Sequence, residues 1–102
     1  MTEAELQTNV RHAAKVGGWL AYHTNDSRRS DKGFPDLVLV HPLLGRLLFV
    51  ELKSEKGKLR PEQQHWVRAL DFANQDVYVW RPEHWLNGSV QRVLIHHLEV
   101  AA

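Results

Sequence analysis

The sequence contains no cysteine among its 102 residues, which excludes a disulfide framework and a thiolate metal site. The absence of cysteine is consistent with a reducing compartment. No apolar run approaches the length of a membrane span, and the N-terminus lacks the basic and then apolar segments of a signal peptide. The composition, 43% hydrophobic and 25% charged, is ordinary and indicates one small globular domain with a modest core.

Neither sign of charge is in large excess, because 13 Lys and Arg face 12 Asp and Glu and leave a net charge of +1. This balance indicates no partner by itself, but the distribution of the charges is more informative. Residues 53–60 carry four basic side chains against the single acid Glu55, a local charge of +3; the four are Lys53, Lys56, Lys58 and Arg60. Such a segment suits a phosphate backbone, although a solvated lysine-rich loop is the alternative.

The alternation of apolar residues predicts a mixed helix and strand protein. Two apolar stretches, residues 33–40 and 48–53, predict neighbouring strands around a short turn that contains Pro42 and Gly45. Thr2 and Glu5 form a capping-box pattern that begins the first helix. The predicted order is helix, three strands, helix and strand: residues 2–16, 19–23, 33–40, 48–53, 61–73 and 76–80. A small C-terminal helical extension follows, with a short helical turn at residues 82–85 and a terminal helix at residues 89–98. The last strand is expected to be parallel to its neighbour, with the helix as the crossover.

Three charged residues, Asp36, Glu51 and Lys53, interrupt the apolar pattern of the two central strands at positions that share one face of the sheet. A turn at residues 42–45 sets His41 opposite Arg46, and counting back along both strands sets Asp36 opposite Glu51. Directly opposite Cβ atoms lie roughly 5 Å apart, so the two carboxylates would repel each other unless a divalent cation lay between them. Lys53 shares the face of Glu51 at about 7 Å. A surface Glu–Lys pair would explain Glu51 and Lys53, but it leaves Asp36 in the matching register unexplained.

Carboxylate oxygens favour one kind of metal and one kind of chemistry. Oxygen ligands with water in the remaining positions suit Mg²⁺ or Mn²⁺ rather than zinc. Such a cation can bind a phosphate oxygen and activate water, while the Lys53 ammonium stabilises charge that develops in the transition state or positions the water. The seven histidines show no two-His spacing on one helix face of the kind that zinc enzymes use.

The ordered set of these residues resembles the motif of a known nuclease superfamily. Pro35-Asp36, fourteen further residues and then Glu51-Leu52-Lys53 are similar to the PD-(D/E)XK motif. Residues 57–63, with Trp66 and Leu70 behind them, are similar to the VRR-NUC branch. The resemblance covers the chain from about Glu3 to Trp80. It implies an α+β fold with a restriction-endonuclease-like core of order αβββαβ, and one VRR-NUC domain over residues 1–102.

The resemblance also extends the predicted site. In this superfamily a Glu near the start of the first helix often completes the metal site, and Glu3 is the matching position, with Glu5 as the alternative. The carbonyl oxygen of Leu52 is expected as a further ligand by family analogy. Gln63, a polar residue at the leading end of a buried helix face, is expected by resemblance near Lys53 or the bound phosphate. A Gln63 that only satisfies loop backbone is the competing interpretation.

The function implied by the resemblance is a Mg²⁺- or Mn²⁺-dependent DNA endonuclease that cuts branched DNA such as a four-way junction. Arg28 and Arg29, in the polar loop of residues 24–32, are candidates for phosphate contacts together with the basic residues Lys56, Lys58 and Arg60. We expect a cytoplasmic protein encoded by a bacterium or a phage. A catalytically inactive nucleic-acid-binding module and a structural interaction domain are the two alternatives, and the intact Asp36, Glu51 and Lys53 set argues against both.

Stand-alone nucleases that resemble this chain commonly form two-fold dimers, which puts two active sites on one substrate. The segment after Pro82 is rich in apolar residues: Trp85, Leu86, Val90, Val93, Leu94 and Ile95. It contains more apolar residues than one short terminal segment needs, so we expect it to form the interface of a homodimer. The alternative is that these residues close the core of the monomer.

Overall fold

The computed structural model describes residues 1–24 and 31–101, except for the side chains of the last three. The described helices are α1 (Glu3–Val16), α2 (Pro61–Phe72), α3 (Pro82–Leu86), α4 (Ser89–Leu94) and α5 (His96–Ala101). The strands are β1 (Leu20–His23), β2 (Leu37–His41), β3 (Arg46–Leu52) and β4 (Asp76–Trp80). None of the helices in this part of the chain is long and apolar enough to cross a membrane.

The four strands form one sheet in the order β1-β2-β3-β4. β1 and β3 are antiparallel to β2, and β4 is parallel to β3 with α2 as the crossover, as predicted. The predicted hairpin register is also confirmed, because His41 pairs with Arg46. The ladder continues to Leu37 and Val50, so the next pair of residues away from the turn is Asp36 and Glu51.

His41 connects the hairpin turn to the end of α1. Its Nδ1 accepts hydrogen bonds from the backbone N–H groups of Leu43 (3.3 Å) and Leu44 (3.1 Å). Because Nδ1 is an acceptor, the proton lies on Nε2, which donates to the Gly17 carbonyl oxygen at 2.9 Å. Gly17 is the C-cap of α1, so one imidazole determines both the turn and where the hairpin lies relative to α1.

The predicted capping box at the start of α1 is present. Thr2 Oγ1 accepts from the Glu5 backbone N–H at 3.1 Å, and Glu5 Oε1 accepts from the Thr2 N–H at 2.9 Å. The buried stripe of α1 packs on one face of the sheet, together with α4. The core there consists of Leu6, Val10, Ala13, Ala14, Trp19, Leu37, Leu39, Leu48, Val50, Leu52, Trp80, Val90 and Leu94.

α2 covers part of the opposite face of the sheet. The Trp66 ring lies 4.9 Å from the Phe34 ring, which in turn lies 6.2 Å from the Phe49 ring of β3. Gln63 is buried at the leading end of this helix, as expected. The helix was predicted to end at residue 73, but it ends at Phe72 and Ala73 is its exposed C-cap residue.

Several predicted boundaries were wrong, among them those of β3, which covers Arg46–Leu52 rather than residues 48–53. β2 begins at Leu37 rather than at residue 33, because Gly33 has φ +86° and its backbone packs directly against that of Glu62 in α2. A Cβ at Gly33 would collide with that backbone, so residues 33–36 turn toward the sheet instead of extending it. β1 begins at Leu20, and Trp19 before it is a core residue.

The C-terminal segment differs from the prediction in two ways. The expected terminal helix is broken at Ile95, because the Leu94 carbonyl accepts from the Trp19 indole N–H at 2.9 Å and the Leu98 N–H bonds to the Ile95 carbonyl instead. The apolar residues after Pro82 are also not surplus. Most of them pack against the core of their own chain: Val90 and Leu94 fully, and Trp85, Val93 and Ile95 in part. The argument that this segment forms a dimer interface was therefore wrong.

Candidate active site

Asp36 lies where β2 begins, beside the C-terminal end of β3. Its Oδ2 accepts a hydrogen bond from the Leu52 backbone N–H at 2.7 Å, and its own carbonyl oxygen accepts from the Thr24 N–H at 2.9 Å. The side chain is only half-buried. The short bond to Leu52 fixes the orientation of the carboxylate and leaves Oδ1 free of that contact.

Glu51 is the central residue of the site and is only 2% exposed. Its Oε1 accepts from Gln63 Nε2 at 3.3 Å, whereas its Oε2 is buried and has no hydrogen-bond donor among the described residues. Burial raises the pKa of Glu51 to about 9, and the neighbouring Asp36 adds to the rise through a hydrogen bond and through charge repulsion. Without a cation, a pKa of about 9 means that Glu51 holds a proton at neutral pH.

The Gln63 side chain does both of the things that the sequence suggested as alternatives. Its Oε1 accepts from the Arg60 backbone N–H at 2.8 Å, so the amide satisfies loop backbone and closes the start of α2. Its Nε2 donates to Glu51, so the same amide also orients the buried carboxylate. Gln63 was expected near Lys53, and the hydrogen bond of its side chain is to Glu51, two positions before Lys53 in the sequence.

Lys53 follows directly after β3 and is 9% exposed, an unusual degree of burial for an ammonium group. Its backbone N–H donates to the Trp80 carbonyl at 3.0 Å, which extends the pairing of β3 and β4 by one residue. Its positive charge lowers the pKa of Glu51, but by less than burial and Asp36 raise it. The charge of Lys53 therefore acts on the carboxylates without neutralising their repulsion.

Arg81, which the sequence analysis did not single out, holds the loop that follows Lys53. Its Nη1 donates to the carbonyl oxygens of Ser54 (2.7 Å), Gly57 (2.6 Å) and Glu55 (3.4 Å). Three loop carbonyls thus converge on one guanidinium nitrogen at the end of β4. The sequence offered only a weak signal, a basic residue between a strand and Pro82, because the loop is more than twenty positions away.

The two glutamates of the first helix have different environments. Glu5 is engaged with Thr2 in the capping box, and these hydrogen bonds lower the pKa of its carboxyl group. Glu3 is exposed in the first turn of α1, but it is close enough for its charge to raise the pKa of Glu51. Among the described residues no three His, Cys, Asp or Glu side chains form a group that could hold a metal ion. Glu3 is therefore not assembled with Asp36 and Glu51 into one cluster.

The structure describes three of the five basic residues that were expected to contact phosphate. Lys56, Lys58 and Arg60 are all exposed in the segment between Lys53 and α2, the first part of which Arg81 holds. Arg28 and Arg29 lie outside the described residues.

The donor set fits a hard divalent cation. Two carboxylates are held side by side, one buried oxygen lacks a donor within the described residues, and no thiolate exists in the chain. Oxygen donors of this kind favour Mg²⁺ or Mn²⁺. Asp36, Glu51 and the Leu52 carbonyl oxygen are the residues that would hold the ion.

The raised pKa of Glu51 predicts a pH-dependent stability without metal. Between about 4.5, the ordinary pKa, and about 9, the folded protein binds a proton that the unfolded chain releases. The stabilisation is therefore complete below pH 4.5 and is lost as the pH rises toward 9, with a slope of at most about 1.4 kcal/mol per pH unit. Urea unfolding in a chelator at several pH values should show a flatter dependence for Glu51→Gln than for the unmodified protein. Equal slopes would contradict the assignment.

Arg81 provides a second prediction. Arg81→Ala should lower the free energy of unfolding by about 2 kcal/mol, because it removes a charged donor from the partly buried loop carbonyls. Arg81→Lys should recover part of this loss, since it keeps the charge but has a shorter reach. Arg68→Ala, at an exposed arginine of α2, is the matched control and should change stability by less than about 0.5 kcal/mol. Equal losses in the two alanine variants would mean that Arg81 does not hold the loop.

Comparisons with known proteins agree with this arrangement. The profile of the VRR-NUC domain matches residues 2–83. A solved VRR-NUC domain aligns with a TM-score of 0.65 and 27% identity over 78% of this chain and 84% of that chain. A second VRR-NUC domain protein, at 19% identity and a TM-score of 0.57 over 79% and 78% of the two chains, shares the fold.

A curated relative matches a shorter region. The Fanconi-associated nuclease 1 homolog of Schizosaccharomyces pombe is 36% identical over 56 residues, 55% of this chain. The matched region spans only 8% of that relative's length. With the α+β, PD-(D/E)XK-like arrangement of its sheet and the match over residues 2–83, the chain belongs to the VRR-NUC nuclease domain family.

Proposed function

We propose that this protein is a metal-dependent DNA endonuclease that hydrolyses phosphodiester bonds. The observation that carries the proposal is the buried Glu51 carboxylate, which lies against Asp36 with one oxygen lacking a donor among the described residues. Keeping two carboxylates together in a half-buried place costs stability. A binding site for Mg²⁺ or Mn²⁺ accounts for that cost, whereas a purely structural role does not.

The roles of the residues follow from their contacts. The Leu52 N–H orients Asp36 and the Gln63 amide orients Glu51, so both carboxylates are fixed before a ligand arrives. A bound Mg²⁺ or Mn²⁺ would supply charge neutralisation at the phosphate and activation of water. The Lys53 ammonium would stabilise charge on the phosphoryl oxygens in the transition state or position the attacking water.

Further members of the site complete this proposal. The Leu52 carbonyl would add an oxygen ligand, and Glu3 would bind the ion directly or through water. Glu3 is preferred over Glu5 because the Glu5 carboxylate is already used in the capping box. Lys56, Lys58 and Arg60 are exposed beside the site and would contact the DNA backbone, as would Arg28 and Arg29. The prediction of a cytoplasmic protein of a bacterium or phage stays a prediction.

The test is cleavage of single-stranded, duplex, flapped and four-way DNA in Mn²⁺. Asp36→Asn, Glu51→Gln and Lys53→Ala should each lower the rate by about a hundredfold or more, because each removes a metal ligand or the charge partner. Glu55→Gln, at an exposed acid of the same loop, is the matched control and should cut normally. Ca²⁺ should support little cleavage, because its looser coordination positions water and phosphate less well.

The outcomes distinguish the possible functions. DNA binding without cleavage in any divalent cation would favour the inactive nucleic-acid-binding module. Full activity of Lys53→Ala would remove Lys53 from the mechanism. Retained Mn²⁺-dependent activity in both carboxylate variants would place the metal elsewhere.

We also propose that the protein forms a homodimer and prefers branched DNA. The exposed apolar row that supports this interface crosses three strands, on the part of the α2 face of the sheet that α2 does not cover: Leu20, Val40 and Leu47 are paired neighbours, with Tyr22 beside them. Leu20 and Tyr22 are 64% and 60% exposed, and a contiguous apolar surface is a common site of association.

Light scattering at micromolar concentration tests the dimer. The unmodified protein should have twice the chain mass of 11.8 kDa, and Tyr22→Glu should shift it to the monomer. Leu86→Glu, at a 76% exposed residue after Pro82, is the control and should leave the mass unchanged. A mass of 11.8 kDa for the unmodified protein would exclude the dimer, and equal cutting of linear duplex and four-way junction would exclude the preference for branches.

A further inference from the structure

A groove of about 460 Å³ lies between α1 and the edge strand β1, on the surface. Arg11, His12 and Lys15 line it from the helix, and Trp19 and Leu20 line it from the strand side. The rest of its described lining is mostly apolar, and no acidic side chain belongs to that lining. None of these residues belongs to the proposed catalytic site.

The basic residues form a continuous stripe on one face of α1. With Thr8 they occupy positions i, i+3, i+4 and i+7 of the helix, so they lie on one face, away from the buried residues Leu6 and Val10. Arg11, His12 and Lys15 are exposed, and within the described part of the chain none of them forms an ion pair. Their charge is therefore not neutralised locally by the described residues.

The sequence around the groove is also free of acids. No Asp or Glu occurs from residue 6 to residue 25, although the chain has 12 acidic residues in 102. A groove whose described lining carries cationic side chains and no carboxylate attracts polyanions.

We propose that this groove binds the phosphate backbone of the DNA substrate several nucleotides from the bond that is cut. The inference rests on the proposed nuclease function and extends it to a second contact region. α1 begins at Glu3, whose charge reaches Glu51, and its axis leads from there toward the groove. At about 1.5 Å per residue, Arg11 and Lys15 lie about 12 and 18 Å along the helix from Glu3. At about 3.4 Å per phosphate on one strand of a duplex, a strand that runs along α1 would meet them about four to five nucleotides away.

A solvated helix surface is the alternative explanation. It accounts for Lys15, because a cation in the last turn of a helix interacts favourably with the helix dipole. It accounts less well for Arg11 in the second half of the helix, a full turn earlier, and for the position of both residues at the mouth of a groove. The two explanations differ in what removal of the charges does to DNA binding.

The experiment measures DNA affinity by fluorescence anisotropy in Ca²⁺ as a function of salt. The double variant Arg11→Ala/Lys15→Ala should weaken binding on the order of tenfold and reduce the slope of log K against log salt by about 1.8, since each lost phosphate contact contributes about 0.9. Arg68→Ala/Arg92→Ala removes the same charge from exposed positions of α2 and α4 and is the matched control. Equal weakening by the two double variants would overturn the proposal, because only net charge would then matter.

The length of the substrate gives an independent readout. Two duplexes are compared, each shortened to three base pairs on a different side of the cleavage position. One of the two should bind the unmodified protein more weakly than the full-length duplex does. The groove variant should be insensitive to that shortening, because the contact is already lost. Its kcat at saturating DNA should stay unchanged while its KM rises. Equal sensitivity of both proteins to the shortening would contradict the groove.

Failure of the groove is distinguishable from failure of the nuclease. If the unmodified protein cleaves DNA and the groove variant binds it equally well, only the groove proposal fails. If the protein binds DNA through the groove and cleaves nothing, only the proposed catalysis fails. If it binds no DNA of the panel, both are overturned.

Discussion

The close approach of Asp36 and Glu51 is the constraint on which the rest of the structure depends. Their proximity follows from the register of β2 and β3, because Leu37 pairs with Val50 and the next residues must then lie side by side. A shift by one residue would move every side chain of β3 to the other face of the sheet and bury Phe49 in place of Val50. His41 opposes such a shift, because it accepts two hydrogen bonds from the turn and donates to the end of α1. A residue far from the carboxylates thus helps to determine their distance.

The same constraint makes the site electrostatically unfavourable without a ligand. Burial and Asp36 raise the pKa of Glu51 to about 9, so a proton occupies the site in the absence of a cation. A divalent cation must displace this proton, and its affinity should therefore increase with pH. The surrounding structure tolerates the conflict because Gln63 and the Leu52 N–H each support one carboxylate. Loss of the metal then costs the protein a pH-dependent part of its stability rather than its fold.

Local patterns predicted the elements of the fold, whereas contacts between distant residues determined what the sequence missed. The capping box of Thr2 and Glu5 spans three residues, and the hairpin register needed only the length of one turn. The break at Ile95 depends on the Trp19 indole, 75 positions from Leu94, and could not be read from either segment alone. Arg81 was missed for the same reason, since its partners lie in a loop with no pattern that points to a guanidinium. The apolar residues after Pro82 were recognised, but their burial could be known only once α1 and the sheet were in place.

The charges of α1 connect helix stability with the proposed recognition of DNA. Glu3 and Glu5 lie in the first turn and Lys15 in the last, an order that favours the helix through its dipole. The same order places negative charge at the end that faces the carboxylates and positive charge at the groove beside β1. A DNA strand along α1 would therefore be attracted at the groove and repelled by uncompensated carboxylates near Glu51 until a cation binds there. Binding of metal and binding of DNA should then be mutually favourable, because each reduces the electrostatic cost of the other.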